Sequence, residues 1–165
     1  MNMMRKLMMG AAPGERILVN TTTETINAPL NPPMKWKVGS SYSISWTGTI
    51  PSCEIFEKFD LFDVTPESSG LYCSARGLYG AFFIYFWGTE LYAKRISEIP
   101  KNIAIDVRFK IIAVSTSAPY YTADVELYIN GTKEVSRTCD VTTNSFDSFR
   151  YYGNAAGMFI IKKLS

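Results

Sequence analysis

The sequence contains no histidine, and its clearest candidates for chemistry are acidic side chains. The lack of histidine excludes Ser-His-Asp and Cys-His nucleophile systems. Carboxylates can still work in pairs across a glycosidic bond, one as acid and one as nucleophile or base. Glu54, Glu57 and Asp60 form one acidic cluster. On a strand their spacing alternates between faces, so they do not converge. Asp124 and Glu126 stand two residues apart and share a strand face. No third acid follows them, and each has a basic residue placed to pair with it. No glycine-rich phosphate loop occurs. The expectation is a chain without catalysis.

Metal ligation is weakly signalled. The three cysteines, Cys53, Cys73 and Cys139, are odd in number and irregular in spacing. That argues for free thiols in a reducing compartment over a disulfide framework, with one disulfide plus a free thiol as the alternative. No CxxC pair occurs, and the lack of histidine argues against zinc. Asp140, Asn144 and Asp147 share the polar stretch Cys139 to Asp147. They are the weak candidates for calcium, but their spacing is not that of an EF-hand. A solvated loop with Asx turns is the preferred reading, and no cofactor is expected.

Binding through aromatic platforms is better signalled. Trp87, Tyr92, Tyr120, Tyr121, Tyr151 and Tyr152 are the candidates for contact with a sugar or a protein. Trp87 closes the run Ala81 to Trp87, AFFIYFW, which is apolar at every position. That run is either a strand covered on both faces or one with an exposed aromatic stripe. Core packing is the simpler reading of Trp87. Tyr120 and Tyr121 follow Pro119 in a loop and are expected to be exposed.

The elements that must hold these residues centre on Ile103 to Ile129. Ile103, Ile105, Val107, Phe109 and Ile111 alternate with Ala104, Asp106, Arg108, Lys110 and Ile112. The second arm alternates Ala123, Val125, Leu127 and Ile129 with Asp124, Glu126 and Tyr128. This period of two predicts a hairpin with one buried face. Pairing about Ser117 sets Phe109 against Val125, Val107 against Leu127 and Ile105 against Ile129. The same register sets Lys110 opposite Asp124 and Arg108 opposite Glu126. A slip by one residue ruins both faces. Asn130-Gly131 then signals a second hairpin. A three-residue loop with a bulge, Gly131 taking positive φ, would set Val135 against Leu127.

The rest of the chain reads as about eleven strands separated by Gly, Pro, Ser and Thr, the spacing of a sandwich or barrel. Residues 53 to 64 read as a strand with a bulge, and Thr138 to Asp147 as a loop. Met34 to Val38 reads as a short strand, and Thr21 to Pro33 as a linker or edge segment. At 165 residues one core suffices. The domain division expected is an arm and linker over 1–33 and a β-sandwich over 34–165. With 17 basic and 15 acidic residues the formal charge is +2, with no clustering that would suit nucleic acid. Leu7 to Ala12 is too short for a signal sequence, and no stretch is long enough to span a membrane. The basic, Met-rich start offers Met3, Met4, Arg5, Lys6, Leu7, Met8 and Met9 as an assembly arm that orders against a partner. A frayed terminus is the competing reading. The sequons at Asn20 and Asn130 are expected to be incidental, the second explained by its turn.

The order of motifs from Gly70 onward resembles a known family. GLYCSARG, FFIYFWG, ELYAKR, IAIDVRFKI and VELYINGTKEVS follow one another, ahead of a closing strand after Gly157. This is similar to the laminin-G-like, concanavalin A-like jelly roll, in which L-Y-x-N-G marks a hairpin between long strands; here it is Leu127 to Gly131. The resemblance covers roughly residues 42 to 165 and implies an all-β, two-sheet antiparallel sandwich with an extended N-terminal arm. Catalytic members place E-x-D-x-x-E on one strand, a pattern absent here. The Met-rich start ahead of such a module resembles small virion proteins of tailed bacteriophages. That implies a fibre, decoration or adsorption component, made in the host cytoplasm and assembling with itself and other virion proteins. A lectin-like module that binds a cell-surface glycan, secreted or surface-borne, is the alternative.

Overall fold

In a computed structural model the chain is described over residues 17–20, 26–35, 37–52, 58–66, 73–117, 119–141, 145–152 and 155–165. For 17–20, 26–35, 64–66 and 145–152 the description is of the backbone. The strands are β1 (Ile17–Asn20), β2 (Ile26–Lys35), β3 (Ser41–Thr49), β4 (Phe59–Pro66), β5 (Cys73–Leu78) and β6 (Ala81–Phe86). They continue as β7 (Thr89–Arg95), β8 (Asn102–Val114), β9 (Tyr121–Ile129), β10 (Thr132–Val141), β11 (Ser145–Tyr152) and β12 (Gly157–Lys163). One 3-10 turn, Ile96–Glu98, lies between β7 and β8. No helix among the described residues is long and apolar enough to cross a membrane.

The strands form two antiparallel six-stranded sheets. Sheet one has the order β1-β12-β3-β8-β9-β10, and sheet two β2-β11-β4-β5-β6-β7. Runs of neighbours in sequence, β4 to β7 and β8 to β10, make simple meanders. Elsewhere the chain crosses between sheets at each step, and its start pairs with its end: β1 with β12, β2 with β11. That winding is a jelly roll, so the chain is an all-β two-sheet sandwich. Strands β1 and β2 belong to the sheets. Of the two readings of 21–33, linker or edge segment, the residues from Ile26 onward take the second, in an edge strand where the prolines need not donate to a neighbour on the open side. Residues 1–16 lie outside the described residues.

The β8–β9 hairpin has the register its alternation predicts. Phe109 faces Val125, Val107 faces Leu127, Ile105 faces Ile129, Lys110 faces Asp124 and Arg108 faces Glu126. The inward row is fully buried from Ile103 to Ile111 and from Ala123 to Ile129. A bulge at Ile112 takes up the odd residue before the loop. The next turn differs in detail from expectation. Asn130 and Gly131 both take positive φ, 49° and 80°, and Ile129 pairs with Thr132, so this is a two-residue turn. The bulge comes two residues later, at Glu134, and it brings Val135 opposite Leu127. The Asn130 side chain ties the turn to β8: its Oδ1 accepts from the Ala104 amide at 2.7 Å.

Sequence alternation misjudged some other boundaries. Lys35 ends β2 and Val38 lies in the following turn, so Met34 to Val38 is not a strand. Thr138 to Asp147 is not one loop, because β10 runs to Val141 and β11 starts at Ser145 in the other sheet. Thr138 and Asp140 occupy the edge strand β10, whose open side tolerates polar residues. β4 does carry its expected bulge, between Asp60 and Phe62.

Aromatic rings join the two sheets. Phe109 of sheet one meets Phe86 of sheet two with centroids 5.0 Å apart, and Trp87 at 6.1 Å. Phe62 and Phe159 make a second bridge at 5.6 Å. Trp46 fits beneath paired glycines, Gly48 and Gly157, on adjoining strands. A Cβ on Gly157 would stand 2.3 Å from Trp46 Cζ2, so only glycine leaves the indole its place. Truncating Phe109 to alanine removes contacts to both sheets. It should lower unfolding free energy by about 3–5 kcal/mol in urea titration, with the m-value unchanged.

Candidate functional site

Because partners across a ladder share a face, the registers place every described strand side chain inward or outward. Outward on sheet one, Ser43, Arg108, Glu126 and Ser136 form one row, and Ser41, Lys110, Asp124 and Thr138 the next. All of these but Ser43 line an open groove of about 600 Å³. Its charges are mostly committed to one another. Arg108 Nε donates to Asp106 Oδ2 at 2.7 Å, and the guanidinium stands 4.6 Å over the Tyr128 ring. Glu126 takes hydrogen bonds from Lys133 and from the Tyr128 hydroxyl. Those bonds, the one from Lys133 first, hold its carboxyl below the usual range. Asp124 accepts from Thr138 Oγ1 at 2.8 Å. The ion pairs differ from those the register alone suggested: Arg108 goes to Asp106 and Lys133 to Glu126. Long side chains reach along a strand as well as across it.

Outward on sheet two the arrangement is different. One row runs Asp63, Ser74, Tyr85 and Glu90 across β4 to β7. The next runs Asp60, Arg76, Phe83 and Ala93. Phe83 and Tyr85 are half-buried and stacked, centroids 6.0 Å apart and planes 24° from parallel. Beside them Arg76 spans two carboxylates: Nη2 donates to Asp63 Oδ2 at 3.0 Å, and Nε lies 3.5 Å from Asp60 Oδ1. Lys58 adds a second cation 3.4 Å from Asp60 Oδ2. Among the described residues the network thus joins two cations and two carboxylates. Ser74 is buried within its row, and its Oγ makes no hydrogen bond to the other described residues. This face offers an aromatic surface next to charged donors and acceptors. Such a surface can stack on an apolar ring face and exchange hydrogen bonds with hydroxyls.

Several residues singled out in the sequence lie elsewhere. Trp87 is 5% exposed and packs on Phe86 with centroids 4.6 Å apart, so it belongs to the core and is no platform. Tyr92 is buried too, edge-on to Phe82. A bulge between Ile84 and Tyr85 turns it inward. Tyr120 is exposed as expected, while Tyr121 starts β9 half-buried against the core. The side chains of Tyr151 and Tyr152 lie outside the described residues, as do Met3 to Met9, Cys53, Glu54, Glu57 and Asn144. Asp140 sits on β10 and Asp147 on β11, in different sheets, so they are not neighbours on one loop. No group of three or more metal-ligating side chains occurs among the described residues. Phe83, Tyr85, Arg76 and Asp63 were not singled out. The signal for the first two was present: within AFFIYFW, parity puts Phe83 and Tyr85 opposite to Phe82, Ile84 and Phe86.

No family model matches this chain, and no curated protein matches it. Among solved structures, it is similar to the galectin LEC-6 of Caenorhabditis elegans at 10% identity and a TM-score of 0.43, over 89% of this chain and 93% of that one. It is similar to the alginate lyase AlgAT5 of polysaccharide lyase family 7 at 12% identity and 0.43, over 75% of this chain. The matched region spans 56% of the lyase's length. A botulinum neurotoxin type C chain, described for its interaction with two ganglioside molecules, matches at 14% and 0.46, over 92% of this chain and 39% of its own. At such identities and scores the likeness says nothing of activity or ligand.

The described cysteines, Cys73 and Cys139, are both free thiols. Burial pushes the Cys73 thiol far above its ordinary range, with the nearby Asp63 charge adding to it. In the folded protein at pH 8, Cys73 should resist alkylation, as read by peptide mass mapping, and should react promptly in denaturant. Rapid labelling of the native protein would contradict its burial.

Proposed function

We propose that this chain is a non-enzymatic binding module that takes a neutral glycan on the outer face of sheet two. The stacked Phe83–Tyr85 pair beside the Arg76–Asp60–Asp63 cluster is the observation that carries this reading. A sugar ring has an apolar face to lay on an aromatic surface and hydroxyls to exchange with a carboxylate–guanidinium cluster. Both parts are held on strands and not on loops. An anion is disfavoured, because Arg76 is already engaged by two carboxylates. A phosphate or uronate would have to displace them. The absence of catalysis is part of the proposal. The acids that share a face, Asp124 with Glu126 and Asp60 with Asp63, are each engaged by hydrogen bonds or ion pairs.

Tyr85→Ala should weaken binding about tenfold or more, which corresponds to ~1.4 kcal/mol, and shift Tm little. A glycan array followed by titration calorimetry of the positive sugar measures this. Unchanged affinity in Tyr85→Ala and Phe83→Ala together would contradict the assignment of the face.

A second reading, an attachment component of a virion that assembles with itself, is favoured by one separate observation. Val38, Ile112, Val114 and Tyr120 are all exposed, and they gather at one end of sheet one. There the Gly39 amide bonds Ile111 O at 2.8 Å, and Val114 pairs with Tyr121. Such an apolar cluster is what an interface between copies would cover. Light scattering after size exclusion should then show an oligomer that Val114→Asp dissociates. A strict monomer at high concentration would remove this reading.

A further inference from the structure

Among the described residues, three two-residue turns hold a non-glycine residue at positive φ followed by glycine. They are Tyr79-Gly80 at 51° and 75°, Trp87-Gly88 at 43° and 79°, and Asn130-Gly131 at 49° and 80°. The left-handed region disfavours bulky L-residues and tolerates asparagine well. Asn130 therefore fits its turn, and its side chain also bonds β8. Trp87 is unsuited to its turn, but its ring is buried against Phe86 and Phe109, which offsets the local cost. Tyr79 is unsuited in the same way, without a burial that offsets the cost. It is 69% exposed and makes no hydrogen bond or ring contact with the other described residues. A strained position kept for an exposed residue points to contact with something outside the fold.

Tyr79 also stands in a telling place. It forms the tip of the β5–β6 hairpin, whose outward face carries Ser74 and Arg76 on one strand and Phe83 and Tyr85 on the other. From the row of Ser74 to the tip is five residues, roughly 16 Å at the rise of an extended strand. That is longer than a single sugar ring. The hairpin thus offers a line of contacts: Tyr85, Phe83 and Arg76 at its middle and Tyr79 at its end.

We infer that Tyr79 is a second ligand contact, and that the module takes an extended glycan of several units laid along the β5–β6 hairpin, in preference to a single terminal sugar. This rests on the glycan reading of sheet two and adds the ligand's length and direction.

The test uses the full chain. Affinity electrophoresis in gels containing laminarin, galactomannan, xyloglucan or dextran identifies a retained polymer, and oligomers of that polymer, from disaccharide to heptasaccharide, are then titrated. Affinity should rise with length in the wild type. Tyr79→Ala should lose about tenfold on the heptasaccharide and nothing on the disaccharide, whereas Tyr85→Ala should lose on both. Tyr79→Asn, which suits the turn, should show the same loss together with a raised Tm, so that a folding defect cannot explain it. If Tyr79→Ala binds the heptasaccharide as the wild type does, or affinity is flat with length, this inference fails and the glycan reading stands. If the wild type is retained by no gel and binds no arrayed glycan, both fail.

Discussion

The contact of Phe109 with Phe86 and Trp87 is the constraint from which the outer surface follows. It joins the two sheets near the middle of β8 and the end of β6. Once Phe109 is fixed inward, pleating fixes Arg108 and Lys110 outward, and the ladder passes that choice to Asp124 and Glu126. Once Phe86 is fixed inward, Tyr85 and then Phe83 are fixed outward, and Ser74 and Arg76 with them. Neither face is free to vary in register while the core stays filled. A site built this way is preorganised by burial that lies on its other side. The apolar area behind it contributes roughly 25 cal/mol per Å², which outweighs any single polar contact on the face itself.

Legibility in the sequence tracked how strongly one face was buried. In Ile103 to Ile129 the inward residues are all large or β-branched save Ala123, and the outward ones are largely charged. Both faces point to one register, and the ladder has it. The weak places were edge strands and the joins that leave them. β2 carries Pro29, Pro32 and Pro33 and reads as linker or edge segment, and the edge strand β10 passes to the interior strand β11 across Thr138 to Asp147, which reads as a loop. An edge strand needs only one paired side, and tertiary contact with a neighbour overrides local preference. The turn at Asn130 shows a finer limit. The pairing of Val135 with Leu127 was readable, but the placing of the bulge at Glu134 outside the turn was not, since both arrangements give the same facing pair.

The proposed face was legible only in part. AFFIYFW reads either as a strand covered on both faces or as one with an exposed aromatic stripe. Core packing was the simpler reading of Trp87, and the turn at Trp87-Gly88 does swing it into the core. Tyr92 went the same way through a bulge. Parity within the run would have picked Phe83 and Tyr85, provided one knew that sheet two has its core on the side of Phe82. Arg76 carried no sequence signal. Its importance comes from Asp60 and Asp63 on β4, brought beside it by a pairing thirteen to sixteen residues apart in the chain.

The two outer faces differ in how their charges are organised, and that difference decides between them. Sheet one alternates charge along and across strands, in the manner of a solvated face whose pairs add little to stability. Its groove has room, and long, exposed side chains line it. On sheet two the described charges gather beside the stacked Phe83–Tyr85 pair. Asp60 is buried, and leaving such a carboxylate without Arg76 would be costly, so the guanidinium is locked in place by the need to compensate it. A locked guanidinium beside stacked rings is a fixed pattern of donors and apolar surface, and a ligand that matches it need not order the site on arrival. The strained Tyr79 at the end of the same hairpin belongs to that logic. It is largely exposed, and a ligand lying along β5 and β6 would reach it last.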